Sequence, residues 1–283
     1  FDVFDSDVVI ENLTITSGVV TTDFGGAIRN NGNLTLRGVN IANNQSNGVA
    51  GADGLMPGGG GGGGGAGGFG GGIYNLNGTL TVEPGTLGCF FSDNSAIGGR
   101  GGNGRGNGGS FTGLGGSGGG YLGGTPGNSA HGMTGGFGGG GGGGGGSFNG
   151  TNGGNGGFAG GGGGGGARTP GGNSGAGGTS EFAGGSGGQG CCSAGGGGGG
   201  GAAMGGAIFN HGGTVTMGAC TFTGNSAVGG ARGGNYFGGP AATAGGSYGP
   251  AIFNYYGNMT VDENAMYEEN TAESDLEPTY SHQ

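Results

Sequence analysis

The chain has 283 residues, a formal net charge of −10 and 98 glycines. Glycine supplies about a third of the residues, against a usual ~7%, but seven prolines and the absence of a strict Gly-X-Y period exclude collagen. Six arginines, no lysine and sixteen acids exclude the basic surface that nucleic acid requires, so no nucleic-acid partner is expected. No apolar run approaches the ~20 residues of a membrane-spanning helix, and no membrane span is predicted.

A cassette of short strands recurs along the chain. Each copy begins with a motif such as Gly-Gly-Ala-Ile at 25–28, continues in an alternating strand such as Leu34-Thr35-Leu36, and ends in a second strand closed by asparagine. The copies cover approximately 1–24, 25–47, 70–97, 205–228 and 247–272, and an acidic tail follows at 273–283.

Self-similarity at this period is typical of stacked repeat architectures. Alternation directs every second side chain into a core, and glycine and asparagine tolerate the left-handed backbone of tight corners. The sequence therefore predicts an all-β fold: one domain over 1–283, built as a right-handed parallel β-helix of about five rungs. An antiparallel sandwich of short strands is the alternative.

Three glycine-rich insertions, 48–69, 98–204 and 229–246, interrupt the repeats after the same corner, so we expect them on one face. Their composition is also typical of disordered linkers, but they lack the Ser, Gln, Glu and Lys that solvate disorder. We predict polyglycine II-type helices, with three residues per turn and backbones bonded to their neighbours. Reversals are expected at 125–127, 152–153 and 169–171. Isolated apolar side chains available for packing are Phe111, Leu114, Tyr121, Leu122, Phe137, Phe148, Phe158 and Phe182.

Four cysteines provide two candidate disulfides. Cys89 and Cys220 occupy the same position in copies that become neighbours once the long insertion is removed, which places them at disulfide distance; two stacked buried thiols are the alternative. Cys191 and Cys192 are adjacent, and either form a strained ring or stay free. Adjacent cysteines do not have metal-ligand spacing.

Other polar residues give no strong site. His131, His211 and His282 share no spacing with potential ligands, and the acids near residues 2–7 lack any calcium-loop pattern, so no metal is predicted. The glycine runs match Gly-x-Gly-x-x-Gly without a following helix and acidic partner, so no cofactor is predicted.

Glu83 and Asp93 are the acids available to a β-helical polysaccharide enzyme in the central copies, and we predict no enzyme. Glycosylation sequons lie at Asn12, Asn33, Asn44, Asn77, Asn149 and Asn258.

The Gly-Gly-Ala-Ile motifs at 25–28 and 205–208 and the Phe-x-x-Asn motifs at 91–94 and 222–225 resemble the repeats of polymorphic outer-membrane proteins. That family consists of surface-exposed autotransporter adhesins with β-helical passengers. The resemblance covers the cassettes, about half the chain, and no transporter barrel is found. The glycine-rich insertions are similar in composition to the polyglycine II layers of phage tail-fibre tip adhesins.

These features together favour an extracellular or cell-surface structural protein. The first residues already have a strand pattern, which indicates a processed start at Phe1 and makes the lack of a signal peptide uninformative. We expect a filament subunit that self-associates head to tail, because unpaired strand edges are templates for another chain. The alternative is a monomeric adhesin or binding module that presents its glycine-rich face to a host ligand, a carbohydrate or ice.

Overall fold

The computed structural model describes residues 1–22, 24–55, 59–86, 88–106, 113–120, 122–127, 130–235, 239–274, 277 and 279–282, and every regular element in this part of the chain is a β-strand. The predicted packing residues Phe111 and Tyr121 lie outside the described residues. The strands are β1 Asp2–Glu11, β2 Thr14–Thr16, β3 Val19–Val20, β4 Ile28–Arg37, β5 Asn40–Ala42, β6 Gln45–Asn47, β7 Gly68–Phe69, β8 Ile73–Leu76, β9 Thr79–Glu83, β10 Phe90–Ser92, β11 Ser95–Ile97, β12 Gly156–Phe158, β13 Ser180–Phe182, β14 Ala203–Met204, β15 Ile208–His211, β16 Thr214–Met217, β17 Thr221–Thr223, β18 Ser226–Val228, β19 Ser247–Tyr248, β20 Ile252–Tyr255, β21 Asn258–Val261, β22 Met266–Glu268, β23 Thr271–Ala272 and β24 Thr279–His282.

The strands form several parallel sheets. The largest has nine strands, in the order β21-β16-β9-β4-β8-β15-β20-β24, with β1 beside β4. Two sheets have five strands each, β2-β5-β10-β17-β22 and β23-β18-β11-β6-β3. A three-stranded sheet, β19-β14-β7, and a pair, β12-β13, contain strands from the glycine-rich segments.

The prediction of a right-handed parallel β-helix of about five rungs is wrong. The largest sheet is a curled half-barrel, and the remaining strands are spread over smaller sheets, so the molecule is not a clear solenoid of repeated rungs. The reason lies in β4, a continuous ten-residue strand where later copies have two short strands. It pairs with β8 along its first half and with β9 along its second, which joins two faces of the expected rung into one sheet.

The alignment of the repeats, in contrast, is confirmed by the strand register. Equivalent residues are direct partners: Ile28 pairs with Ile73, and Ile208 pairs with both Ile73 and Ile252. The glycine that opens the motif has a positive φ, 66° at Gly205, and a Cβ there would overlap the carbonyl oxygen of Ile208. Repetition of the sequence therefore determines which residues pair between copies.

Two apolar clusters hold the sheets together. The larger one fills the space between the sheets with inward-facing aliphatic residues of every copy, Ile28 and Leu80 among them. The second is aromatic and lies between the sheets and the glycine-rich segments, where Phe69, Phe158 and Phe209 are buried. Packing of Phe158, Phe137 and Phe182 in this second cluster agrees with the expectation for apolar residues within the insertions, whereas Leu114, Leu122 and Phe148 are exposed.

The glycine-rich segments form a layer that we call the glycine slab. Along 59–67, the amides of Gly61, Gly64 and Gly67 donate to one neighbouring segment, 138–144. The amides between them donate alternately to two other segments, so that each neighbour recurs every third residue. Three residues per turn is the period of a polyproline II-type helix, which has no internal hydrogen bonds. The segments of the slab are 49–54, 59–67, 99–105, 113–119, 122–127, 130–136, 138–146, 149–157, 159–167, 173–179, 184–190, 195–202, 229–234 and 241–246.

Candidate functional site

At two opposite edges, the sheets end in strands that have a hydrogen-bonded partner on one side only. At the first edge, β1, β2 and β3 each have a partner on one side. Five large apolar side chains are exposed there, and Val9 and Val19 each keep more than half of their surface in solvent. Backbone groups and apolar side chains are thus both available for another strand. The apolar residues of this first edge are Phe1, Phe4, Val9, Leu13 and Val19.

The second edge is formed by β21, β22, β23 and β24, which likewise have a partner on one side, and β24 covers β20 of the last copy. Met266 on β22 is exposed, and Tyr267 beside it is only partly buried against the core. Burial raises the pKa of the Tyr267 hydroxyl, because desolvation disfavours the charged phenolate. This edge repeats the strand order of the first, because both belong to copies of one cassette.

Both edges are acidic. Asp2, Asp5, Asp7 and Glu11 lie on β1, although the Glu11 carboxylate is paired with Arg37. The second edge carries only acids among its charged residues in the described chain, namely Asp262, Glu263, Glu268, Glu269 and Glu273. Like charges on the two edges oppose their approach at low ionic strength.

The two outer faces of the glycine slab differ in chemistry. One face, formed by 130–136, 149–155 and 173–179, is uncharged in the described structure, apart from any proton on His131. Along 149–155 every third residue points outward, and Asn149, Asn152 and Asn155 form the central row of this face. Their Oδ1 atoms accept backbone amides of segment 173–179 at 2.9–3.0 Å. The exposed residues of these segments are Ala130, His131, Met133, Thr134, Gly136, Asn149, Asn152, Asn155, Asn173, Ala176 and Thr179.

The opposite face carries arginines. Arg100 and Arg105 lie near Asp53, whose Oδ2 atom accepts a hydrogen bond from Arg105 at 2.5 Å. Burial alone would raise the pKa of Asp53, but hydrogen bonds from Asn103 and the Arg105 charge outweigh it and lower the pKa. Arg232 is exposed on the adjacent segment, whose Ala231 accepts the amide of Gly101. The sequence patterns did not indicate this face, although four of the six arginines fall within the insertions.

Cys89 and Cys220 are joined as a disulfide with their Cα atoms 4.8 Å apart, and both are buried. They close a loop of 131 residues that contains the long insertion. Cys191 and Cys192 are free, with Sγ atoms 2.7 Å apart, at a turn of the slab.

The remaining candidate residues are dispersed. His211 packs in the aromatic cluster, where its Nδ1 lies 2.7 Å from the Tyr74 hydroxyl, whereas His131 is exposed and His282 pairs at the end of β24. Glu83 is paired with Arg37, and Asp93 sits at a corner with a φ of 54°. Within the described residues no group of three or more His, Cys, Asp or Glu side chains is placed to hold a metal ion.

The sequons divide by accessibility. Asn44 is buried, and its Nδ2 donates to Asn94 at 2.9 Å, so an oligosaccharyltransferase cannot reach it in the folded chain. The exposed sequon asparagines are Asn12, Asn33, Asn77, Asn149 and Asn258.

No family model, curated protein or solved structure matches the chain. The resemblance to polymorphic outer-membrane proteins and to phage tail-fibre tips therefore stays a prediction. In the part of the chain that the structure describes, no helix has the length and apolarity needed to cross a membrane.

Proposed function

We propose that the chain is an extracellular structural protein that self-associates head to tail through the two edges of its parallel sheets. The observation that carries this proposal is that the sheets end in two edges whose strands have a free side for hydrogen bonding. The first of these edges also exposes five large apolar side chains. Except at β20, which β24 already covers, the strands of the second edge can meet the first edge of the next molecule as successive copies meet within the chain. A contact between two different surfaces that does not close on itself generates an open filament.

An extracellular setting for this assembly is supported by covalent chemistry. A buried disulfide persists in oxidising compartments and is rare in the cytosol. Exposed sequons at five positions would accept glycans only in a secretory pathway.

The test is sedimentation velocity and negative-stain imaging of the chain 1–283 over a range of concentrations. Wild-type protein should associate and form fibres, and the double variant V9K/V19K should weaken association at least about tenfold, because edge lysines block strand pairing. Thr216→Lys is the matched control, since Thr216 is exposed but lies on β16 between two paired strands. A strictly monomeric wild-type chain, or equal loss with the control, would contradict the proposal.

A second candidate function uses the uncharged slab face as a binding surface for an ordered polysaccharide or ice. Short side chains recur every third residue, about 9 Å apart, along segments 149–155 and 173–179. The amide Nδ2 groups of the central row are left to donate outward, because their Oδ1 atoms are already used. Co-sedimentation with insoluble cellulose or chitin, and inhibition of ice recrystallisation, test this candidate. Ala176→Lys should abolish both signals, while Ala231→Lys on the opposite face should leave them unchanged.

A further inference from the structure

The turn at 191–194 holds two thiols in contact. The amide of Cys191 donates to the Ala194 carbonyl at 2.8 Å, and the amide of Ala194 donates back to the Cys191 carbonyl at 2.7 Å. Between them Cys192 has a φ of 50°, in the left-handed region. With the backbone held in this way, the two Sγ atoms lie 2.7 Å apart. A bond between them therefore requires little movement of the slab segments on either side.

A shallow cavity of about 360 Å³ opens beside this turn, lined by Arg168, Thr169, Pro170, Gly171, Cys192 and Ser193. The Cys192 thiol is exposed, and Cys191 is partly covered. Arg168 is held by a hydrogen bond from its Nη1 to the Gly172 carbonyl at 2.6 Å and by its amide, which donates to the Cys192 carbonyl at 3.1 Å. Its Nε atom is buried and has no hydrogen-bond partner among the described residues. The cavity thus combines the accessible Cys192 thiol with the cationic side chain of Arg168, which is one of its lining residues.

We propose that Cys191 and Cys192 form a redox-active vicinal dithiol, oxidised to an intramolecular disulfide by a small disulfide that carries carboxylate groups and binds beside Arg168. Guanidinium groups recognise carboxylates by charge-assisted hydrogen bonds. This activity is independent of the edge-to-edge association proposed above, since the turn lies in the slab and on neither sheet edge.

The exchange proceeds in two steps. The Cys192 thiol loses its proton, and the thiolate attacks one sulfur of the small disulfide, whose S–S bond breaks to release one thiolate that takes up a proton. The Cys191 thiol then loses its proton and attacks the Cys192 sulfur of the mixed disulfide, which releases the second small thiol. Two protein thiols are oxidised, and one small disulfide is reduced to two thiols.

The order of attack follows from the geometry. Cys192 is the exposed member of the pair and meets the small disulfide first. Cys191 shares a hydrogen bond with Cys192, which is the main cause of its raised pKa, so it stays protonated until the mixed disulfide forms. The other two cysteines are buried in their own disulfide and take no part.

The experiment treats the folded chain with oxidised glutathione, quenches with acid, alkylates with iodoacetamide and maps residues 191–192 by mass spectrometry. Wild-type protein should lose both alkylation sites and two hydrogen masses without retaining glutathione. C191S should retain glutathione on Cys192, because no second thiol is present to release it. Reduced wild-type protein should also bind one phenylarsine oxide per chain, and either single-cysteine variant should lose that binding.

Arg168→Gln separates the proposed recognition from thiol chemistry alone. It should slow oxidation by glutathione disulfide about two- to fivefold, as expected for one partly exposed charge. Oxidation by the uncharged hydroxyethyl disulfide should stay unchanged. Stable glutathione adducts on the wild type, or disulfide-linked dimers as the main product, would overturn the dithiol proposal. Equal slowing with both oxidants would overturn the role of Arg168.

Discussion

Asparagine side chains run through the interior as hydrogen-bonded ladders. In one of them Asn94, fully buried, donates from Nδ2 to the Ile41 carbonyl at 2.8 Å and to Asn225 at 3.0 Å. Its Oδ1 accepts the amide and the Nδ2 of Asn44. Each side chain therefore satisfies backbone groups at a corner and links one copy of the cassette to the next.

Asn94→Ala should lower the free energy of unfolding by roughly 2–4 kcal/mol, because buried donors and acceptors on three neighbours lose their partner. Asn33→Ala is the matched control: Asn33 is exposed and its side chain donates to Asp7 on the surface, so a change within about 0.5 kcal/mol is expected. Urea denaturation followed by circular dichroism measures both. Equal effects of the two substitutions would show that the ladder does not stabilise the fold.

His211 makes stability depend on pH. Burial in the aromatic cluster, where its ring stacks on Phe137 at 4.4 Å, lowers its pKa below the ordinary value of about 6.5. As the pH falls through about 6.5 the unfolded chain therefore binds a proton that the folded chain does not. The free energy of unfolding should be insensitive to this group above that pH and should decrease below it.

His211→Gln removes the titration while keeping a polar side chain near Tyr74. Between pH 7 and pH 5 the variant should lose less stability than the wild type, measured by thermal unfolding at each pH. If the two curves run parallel, His211 is not the group responsible.

At the scale of the elements, the glycine slab depends on the absence of side chains. Segment 59–67 donates to three neighbouring segments and accepts from three others, so its backbone is enclosed on all sides. A Cβ on Gly64 would overlap the carbonyl of Gly161, and both residues are buried backbone with no space to move. Backbone hydrogen bonds take the place that apolar side chains have in an ordinary core.

Gly64→Ala should destabilise the chain by about 3 kcal/mol or more, because an overpacked backbone contact separates two hydrogen-bonded segments. Gly234→Ala tests the general effect of replacing glycine: its Cβ would lie 3.3 Å from the Asn103 Oδ1 atom, at an exposed position. That variant should change stability by less than about 1 kcal/mol. Hydrogen exchange should show loss of protection across the slab in the first variant alone.

The disulfide acts on the longest insertion. Cys89 and Cys220 close 131 residues, and in the chain-entropy model a loop of that size stabilises the folded state by about 5 kcal/mol. The double variant C89A/C220A should therefore unfold at a markedly lower urea concentration. Wild-type protein under a reductant strong enough to open the buried bond should shift by the same amount, and an unchanged midpoint in both cases would contradict the model.

The sequence predicts the contacts that repetition encodes and misses those that it does not. Ile28, Ile73, Ile208 and Ile252 could be aligned because each stands in the same motif, and the structure pairs them in register. The continuous strand β4, which pairs with both β8 and β9, could not be predicted. Similarity between cassettes shows which residues are equivalent, but it does not show whether two short strands merge into one. The sequence also does not indicate which segments of the slab are hydrogen-bonded neighbours, because identical glycine runs have no side chains that distinguish one partner from another.

At the scale of the whole molecule, charge is unevenly distributed. The insertions hold four of the six arginines, whereas acids dominate both sheet edges. Edge-to-edge contact must therefore overcome repulsion, while contact between an acidic edge and the arginine face would be attractive. The two modes of association depend on salt in opposite directions.

Edge-to-edge association should strengthen with ionic strength. Raising the salt from about 0.01 M to about 1 M shortens the Debye length from about 30 Å to about 3 Å and screens the acids on both edges. The apolar contact through Val9 and Val19 is not weakened by this change. Sedimentation velocity should therefore show larger species at high salt in the wild type, and Glu268→Gln/Glu269→Gln should produce them at lower salt. Association that disappears as salt is added would assign the contact to Arg100 and Arg232 instead, and R100Q/R232Q would then abolish it.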